Sequence, residues 1–132
     1  MIAFDTNVLI RYLVQDDAAQ AAQADQLLAE ALAAGERCYI AETVLCELEW
    51  VLTSRYKARR TDVAAAIESL LLDPTFALSD PLVVRTALEA YVRGKADFSD
   101  YLIGARGAAE GVRITYSFDR ALRNEDGFRV LT

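Results

Sequence analysis

The sequence predicts an α/β fold, a three-layer α/β/α sandwich with helices on both faces of a central, mainly parallel sheet of four to five short strands. Three observations predict it. Short apolar or β-branched runs alternate with helical segments, turn and cap residues separate them, and no linker, repeat or low-complexity stretch divides the 132 residues. At that length the chain, residues 1–132, reads as one domain able to bury a core.

Ile2-Ala3-Phe4 reads as a buried opening strand that ends in Asp5-Thr6-Asn7, and Val8 to Val14 as a short helix. In open parallel sheets the ligand crevice lies beyond the carboxyl ends of the strands, so Asp5 is placed to face a site. Gln15-Asp16-Asp17 breaks the helix and offers a cap to the next, Ala18 to Ala34, whose stripe is Ala24, Leu27, Leu28, Ala31 and Leu32 and which stops at Gly35. Arg37 to Ile40 is the second strand. Thr43 is placed to cap a helix running from Val44 to about Lys57, with Val44, Leu45, Leu48, Val51 and Leu52 facing inward.

Glu47 follows Val44 by three residues and precedes Val51 by four, which predicts an acid on the inward face; Glu49, rotated about 200° from it, is expected to face water. A buried acid needs a partner or a metal. Thr61 is placed to cap the helix Asp62 to Leu72, which Asp73-Pro74 ends. Phe76 to Leu78 is a weak strand, and Asp80-Pro81 starts a helix that runs to Gly94. Asp97 and Ser99 are both potential caps for the helix ending near Glu110, and Asp100 lies in its first turn, where the positive helix end favours a carboxylate. Val112 to Tyr116 is a strand followed by Ser117-Phe118-Asp119, a second acid just past a strand's carboxyl end. Arg120 to Arg123 gives one helical turn and Phe128 to Leu131 a last edge strand.

The formal net charge of −6 argues against a broadly basic nucleic-acid binder, though not against one that reaches phosphates through a metal. With no histidine, Ser-His and Cys-His nucleophiles and imidazole zinc sites are excluded. Cys38 and Cys46 lack C-x-x-C spacing and read as reduced core residues, pointing to the cytoplasm. No stretch approaches the roughly 18 apolar residues of a membrane span, and no export signal is evident.

Taken one by one, the acids also have ordinary roles: Asp5 ends a strand and caps a helix, Asp97, Asp100 and Asp119 are N-caps, and Glu47 pairs with an Arg. Thr6, Asn7 and Ser117 are turn formers in the same sense, or orient a ligand beside the acids. The basic run Arg55 to Arg60 is a solvated helix end or a contact for RNA or a partner. If the acids converge, their mutual repulsion calls for a hard divalent cation, and Mg²⁺ suits such oxygen ligands. The reaction class is then metal-assisted hydrolysis of a phosphodiester.

Asp5-Thr6-Asn7 after an opening strand, Val44-Leu45-Cys46-Glu47-Leu48, Ala96-Asp97-Phe98-Ser99-Asp100-Tyr101-Leu102-Ile103 and Ser117-Phe118-Asp119 together resemble the PIN-domain nucleases. Size and element order are similar to those of the stand-alone bacterial VapC toxins. The resemblance covers essentially the whole chain. It implies a PIN-like sandwich and an endoribonuclease dependent on Mg²⁺ or Mn²⁺, held inactive by a cognate VapB-like antitoxin and commonly homodimeric. By the same resemblance Asp5, Glu47, Asp100 and Asp119 match the family's acidic quartet for metal binding and water activation, Asp97 an auxiliary acid, and Thr6 and Ser117 supporting hydroxyl residues. Ser-Phe-Asp stands where Thr-Phe-Asp is usual, keeping the hydroxyl.

Two other functions compete. In a phosphohydrolase of the haloacid-dehalogenase type Asp5 is a nucleophile, but Asn7 and Val8 stand where D-x-D or a Gly-Thr-Leu turn is expected. In a non-enzymatic ion-binding interaction module an adjacent acid pair follows the first strand, and Asp5 stands alone.

Overall fold

Ile2–Ala3 forms β1, and Asp5 caps α1 (Thr6–Val14) by accepting from the Val8 amide at 3.0 Å. The computed structural model describes residues 1–132, which fall into two compact units, Met1–Ser79 and Asp80–Thr132. The first continues with α2 (Ala18–Ala33), β2 (Cys38–Ile40), α3 (Glu42–Arg55), α4 (Arg60–Leu72) and β3 (Phe76–Leu78). Its three strands pair in parallel in the order β1-β2-β3, with Ile2 beside Cys38 and Cys38 beside Phe76. Parallel pairing brings the carboxyl ends of the strands to one edge of this sheet. Asp5 leaves β1 there, and α3 departs from β2 at the same edge after the single residue Ala41.

The second unit comprises α5 (Pro81–Arg93), α6 (Phe98–Ala109), β4 (Thr115–Ser117), a 3-10 turn (Arg120–Leu122) and β5 (Phe128–Val130). Asp80 accepts from the Val83 amide and Pro81 opens α5, as the sequence indicates. Helices α5 and α6 pack together, with Tyr91 meeting Phe98 edge-on at a centroid separation of 6.0 Å. Strands β4 and β5 pair in parallel, Thr115 beside Phe128. Gly104 on α6 sits against the Phe128 ring, where a Cβ would come within 2.7 Å of Cε2.

The α/β character and the parallel pairing match the expectation, and five strands form as anticipated. They do not make one sheet: three lie in the first unit and two in the second. Several local expectations also change. Strand β1 is an edge strand, so Ile2 is half-buried and Ala3 exposed, leaving Phe4 as the buried member of that run. On α2 the buried stripe is Ala21, Ala24, Leu28 and Ala31, a narrow row of small residues, and Leu27 and Leu32 stand about half exposed at 51% and 49% on its flanks. Thr43 is not the cap of α3, because only Ala41 separates the helix from β2 and Thr43 already lies inside the first turn. Thr61 likewise lies inside α4, where Asp62 accepts from the Arg59 amide at 2.9 Å and satisfies the helix start instead. Strand β4 begins at Thr115, later than Val112, since residues 110–112 turn out of α6 through Gly111 at φ +89°.

The end of α3 is tied back to α1 by a polar cluster. Arg11 donates to Asp16 Oδ1 at 3.1 Å and to the Tyr56 hydroxyl at 3.2 Å, and Tyr56 donates to Asp16 Oδ2 at 2.8 Å. The Tyr56 hydroxyl and the Arg11 charge hold the Asp16 carboxyl below the usual carboxylate range. Cys38 is buried and Cys46 half-buried, and both are free thiols pushed up by burial, in keeping with inert core cysteines.

Candidate functional site

Each unit brings acids together in its own way. In the first, Asp5, Thr6, Asn7 and Glu47 line one recess of about 300 Å³, with Trp50 and Arg55 completing its wall. Thr6 is buried, whereas Asp5, Asn7 and Glu47 are exposed. A larger recess of about 580 Å³ over α1 and α2 also reaches Asp5 and Asn7.

The placement of Glu47 corrects the sequence expectation. Glu47 is exposed and Glu49, expected to face water, is 6% exposed. The buried face of α3 is Val44, Leu45, Leu48, Glu49 and Leu52, and at 100° per residue Glu47 lies roughly 130° from its middle. Val44 and Val51, the neighbours from which the facing was inferred, sit at the rim of that stripe, and Val51 is only half-buried. Glu47 therefore belongs to a second face of α3, with Trp50, Val51 and Arg55 at i+3, i+4 and i+8, and this face lines the recess that holds Asp5. Sequence reading missed Trp50 altogether. Its spacing from Glu47 was the available signal.

In the second unit Asp97 occupies the N-cap of α6, and its amide donates to Asp100 Oδ2 at 3.2 Å. Ser99 is within the helix and is not a cap. The turn after β4 is built by its own side chains: Ser117 Oγ accepts from the Asp119 amide at 3.0 Å, and Asp119 Oδ1 accepts from the Ala121 amide at 2.9 Å. Ser117 thus fixes the backbone that presents Asp119, as a turn former does. Asp97 and Asp119 are exposed and Asp100 is half-buried. Burial pushes the Asp100 carboxyl above its ordinary value; the Asp97 amide draws it down, and the nearby charges of Asp97 and Asp119 push it up again.

That displacement predicts a stability effect. A carboxyl raised in the folded state disfavours its own ionisation there, a cost absent below the unfolded-state value and fully present above the folded one. Asp100→Asn keeps an acceptor for the Asp97 amide and removes the charge. In EDTA at pH 8 it should raise the melting temperature by about 2 °C, solvent screening holding the gain below about 1 kcal/mol. The gain should fall to a small fraction of that at pH 4. An equal gain at both values, or a loss at pH 8, would contradict the crowding of charge around Asp100.

The donors fit a hard divalent ion: carboxylate and hydroxyl oxygens, with no imidazole in the chain and both thiols pushed up by burial. Neither unit by itself brings three carboxyl or thiol groups close enough to hold an ion. No helix is long and apolar enough to cross a membrane.

Comparison with known proteins gives a family match of wide extent. The family model described as PIN domain matches residues 2–127. A VapC ribonuclease of Aquifex aeolicus (strain VF5) is 27% identical over 123 residues, which cover 93% of this chain and 90% of that relative.

Proposed function

The chain belongs to the PIN-domain family, and from that premise we propose that it is a metal-dependent endoribonuclease, the toxin of a toxin–antitoxin pair. The observation that carries this reading is the grouping of acids in both units: Asp5 with Glu47 on one recess, and Asp100 within the influence of Asp97 and Asp119. The phosphohydrolase reading is not favoured by the family match.

In this proposal Asp5 and Glu47 of the first unit and Asp100 and Asp119 of the second are the acids that would hold Mg²⁺ or Mn²⁺, with Asp97 as an auxiliary acid. A divalent ion held there would supply Lewis acidity, polarising a phosphate oxygen and easing the deprotonation of the water that attacks phosphorus. The protein's own part is to hold the carboxylates ready. Asp5 is anchored by the Val8 amide, Asp100 by the Asp97 amide, and Asp119 by the turn that Ser117 closes. Asn7, exposed beside Asp5, is positioned to orient a water or a phosphate oxygen. A VapB-like antitoxin with a basic segment suits the net charge of −6 and would neutralise the enzyme, which works as a homodimer in the cytoplasm.

The test is incubation of the purified chain with total RNA, with and without Mg²⁺ or Mn²⁺. Cleavage should appear only with metal; cleavage unaffected by EDTA, or none under any condition, overturns the proposal. The two glutamates of α3 refine it. Glu47→Gln should lower the metal-dependent rate at least about tenfold with melting unchanged. Glu49→Gln should lower the melting temperature by about 5 °C, as expected when a buried charged group loses its interactions, while activity per folded molecule is kept. Reversed outcomes would move the acid role to Glu49.

A further inference from the structure

We propose that Trp50 is a base-stacking platform for the RNA substrate and that Arg55 holds the adjoining phosphate, so that the outward face of α3 positions one nucleotide beside Asp5 and Glu47. This rests on the ribonuclease reading above and goes further by naming the groups that grip the substrate.

Four features of one recess carry it. Trp50 is 69% exposed in a helix whose other large apolar residues are buried or half-buried, and its indole makes no ring contact within the protein. A tryptophan has the largest apolar surface of any side chain, and leaving it in water on a well-packed helix is costly unless something covers it. It shares its recess with Asp5 and Glu47, the two acids that the first unit contributes to the proposed chemistry. Arg55 closes the same recess, exposed and in no ion pair, while Tyr56 directly after it is tethered to Asp16 and Arg11.

The recess, about 300 Å³, is at the lower end of ligand pockets and suits a single nucleotide better than a folded RNA element. Charge points the same way. A chain of net charge −6 cannot draw RNA by a general positive field, so its attraction must be local. Stacking on an aromatic ring needs no net charge and accepts any base, and a planar guanidinium at the rim supplies the phosphate contact. A single strand would thus be held by one base and one phosphate, with its backbone running past the acids.

Trp50 is the only tryptophan in the chain, so its fluorescence reports on this position alone. A ten-nucleotide single-stranded RNA of mixed sequence would be titrated into the full-length Asp119→Asn chain, whose first unit is unaltered, with Mg²⁺ present. Binding should quench the emission. In the otherwise wild-type chain, Trp50→Ala should raise KM for the same RNA about tenfold or more with kcat little changed, and Trp50→Phe should recover most of the loss. Arg55→Ala should lessen the steepness of log affinity against log salt by about 0.7, the share of one phosphate contact on a single strand.

Cleavage by the wild type without quenching, or with KM unaltered in Trp50→Ala, overturns the stacking role and leaves the ribonuclease reading intact. Failure of the wild type to cleave or bind RNA at all overturns both. Emission that shifts with protein concentration in the absence of RNA, and is then unmoved by RNA, assigns Trp50 to contact between copies of the chain and likewise overturns the proposal.

Discussion

Asp5→Asn is expected to reduce metal-dependent RNA cleavage about 100-fold or more while leaving thermal stability in EDTA nearly unchanged. The separation follows from one part that this side chain plays in the fold and one that is proposed for it. As an N-cap it accepts one hydrogen bond from the Val8 amide, at 3.0 Å, and asparagine fills that position about as well as aspartate. Helix α1 therefore starts in the same place and Thr6 stays buried behind it. As the proposed ion ligand, Asp5 would contribute a full negative charge, which the amide lacks. Steady-state cleavage of RNA with Mg²⁺ or Mn²⁺, set beside a melting curve in EDTA, reads the two roles apart. Retention of more than half the activity would remove Asp5 from the chemistry. Loss of activity accompanied by a large fall in melting temperature would reduce its part to capping.

Gly94→Ala is expected to lower the melting temperature by roughly 10 °C, the largest stability effect foreseen for a change of one methyl group. Gly94 ends α5 with φ −98°, a conformation open to any residue, so its backbone does not require glycine. The need is one of space. A Cβ at this position would fall on the Tyr101 hydroxyl. Tyr101 is buried, and its hydroxyl accepts from the Lys95 amide at 3.2 Å and the Ala96 amide at 3.3 Å, bracing the segment that leads into Asp97. Relieving the clash means moving the ring and giving up those bonds. Overpacking alone costs about 1–3 kcal/mol, and a buried amide left without its partner costs about as much again. For a chain of 132 residues the sum corresponds to a drop of about 10 °C or more. Adding Tyr101→Phe to Gly94→Ala should restore only a small part of the loss, since the hydroxyl is the nearest obstacle but Cζ would still lie 2.7 Å from the added Cβ. Calorimetry on the two variants decides it, and an unchanged melting temperature in Gly94→Ala would show that α6 can shift freely.

Of the candidate site, the placement of Asp5 and Asp119 was legible because it depends on local chemistry. Asp5 and Asp119 each follow a short apolar run and each caps what comes next, and Asp80-Pro81 opens a helix by the same logic. Such signals need only a few neighbouring residues. Facing was less legible, for it depends on where the middle of a buried stripe lies. On α3 Val44 and Val51 sit at the rim of the stripe, and a facing read from them exchanges Glu47 and Glu49. On α2 the bulky Leu27 and Leu32 lie outside a buried row that is mostly alanine. The division of five strands into a set of three and a pair is not written in any one stretch, because strand pairing is a long-range choice.

Helix α3 presents a buried face and a recess face on one rod, joined to β2 by the single residue Ala41. Its length is therefore more constrained than its composition. Deleting one residue between Ala41 and Glu47 would turn everything downstream by about 100°. Glu47 would leave the recess and an apolar residue would leave the core in the same event. Many exchanges of side chain on this helix are survivable in one face or the other, but an insertion or deletion in its first turn and a half strikes the core and the recess together. Variation among relatives should accordingly accumulate there as substitution, with gaps confined to the ends of the helix.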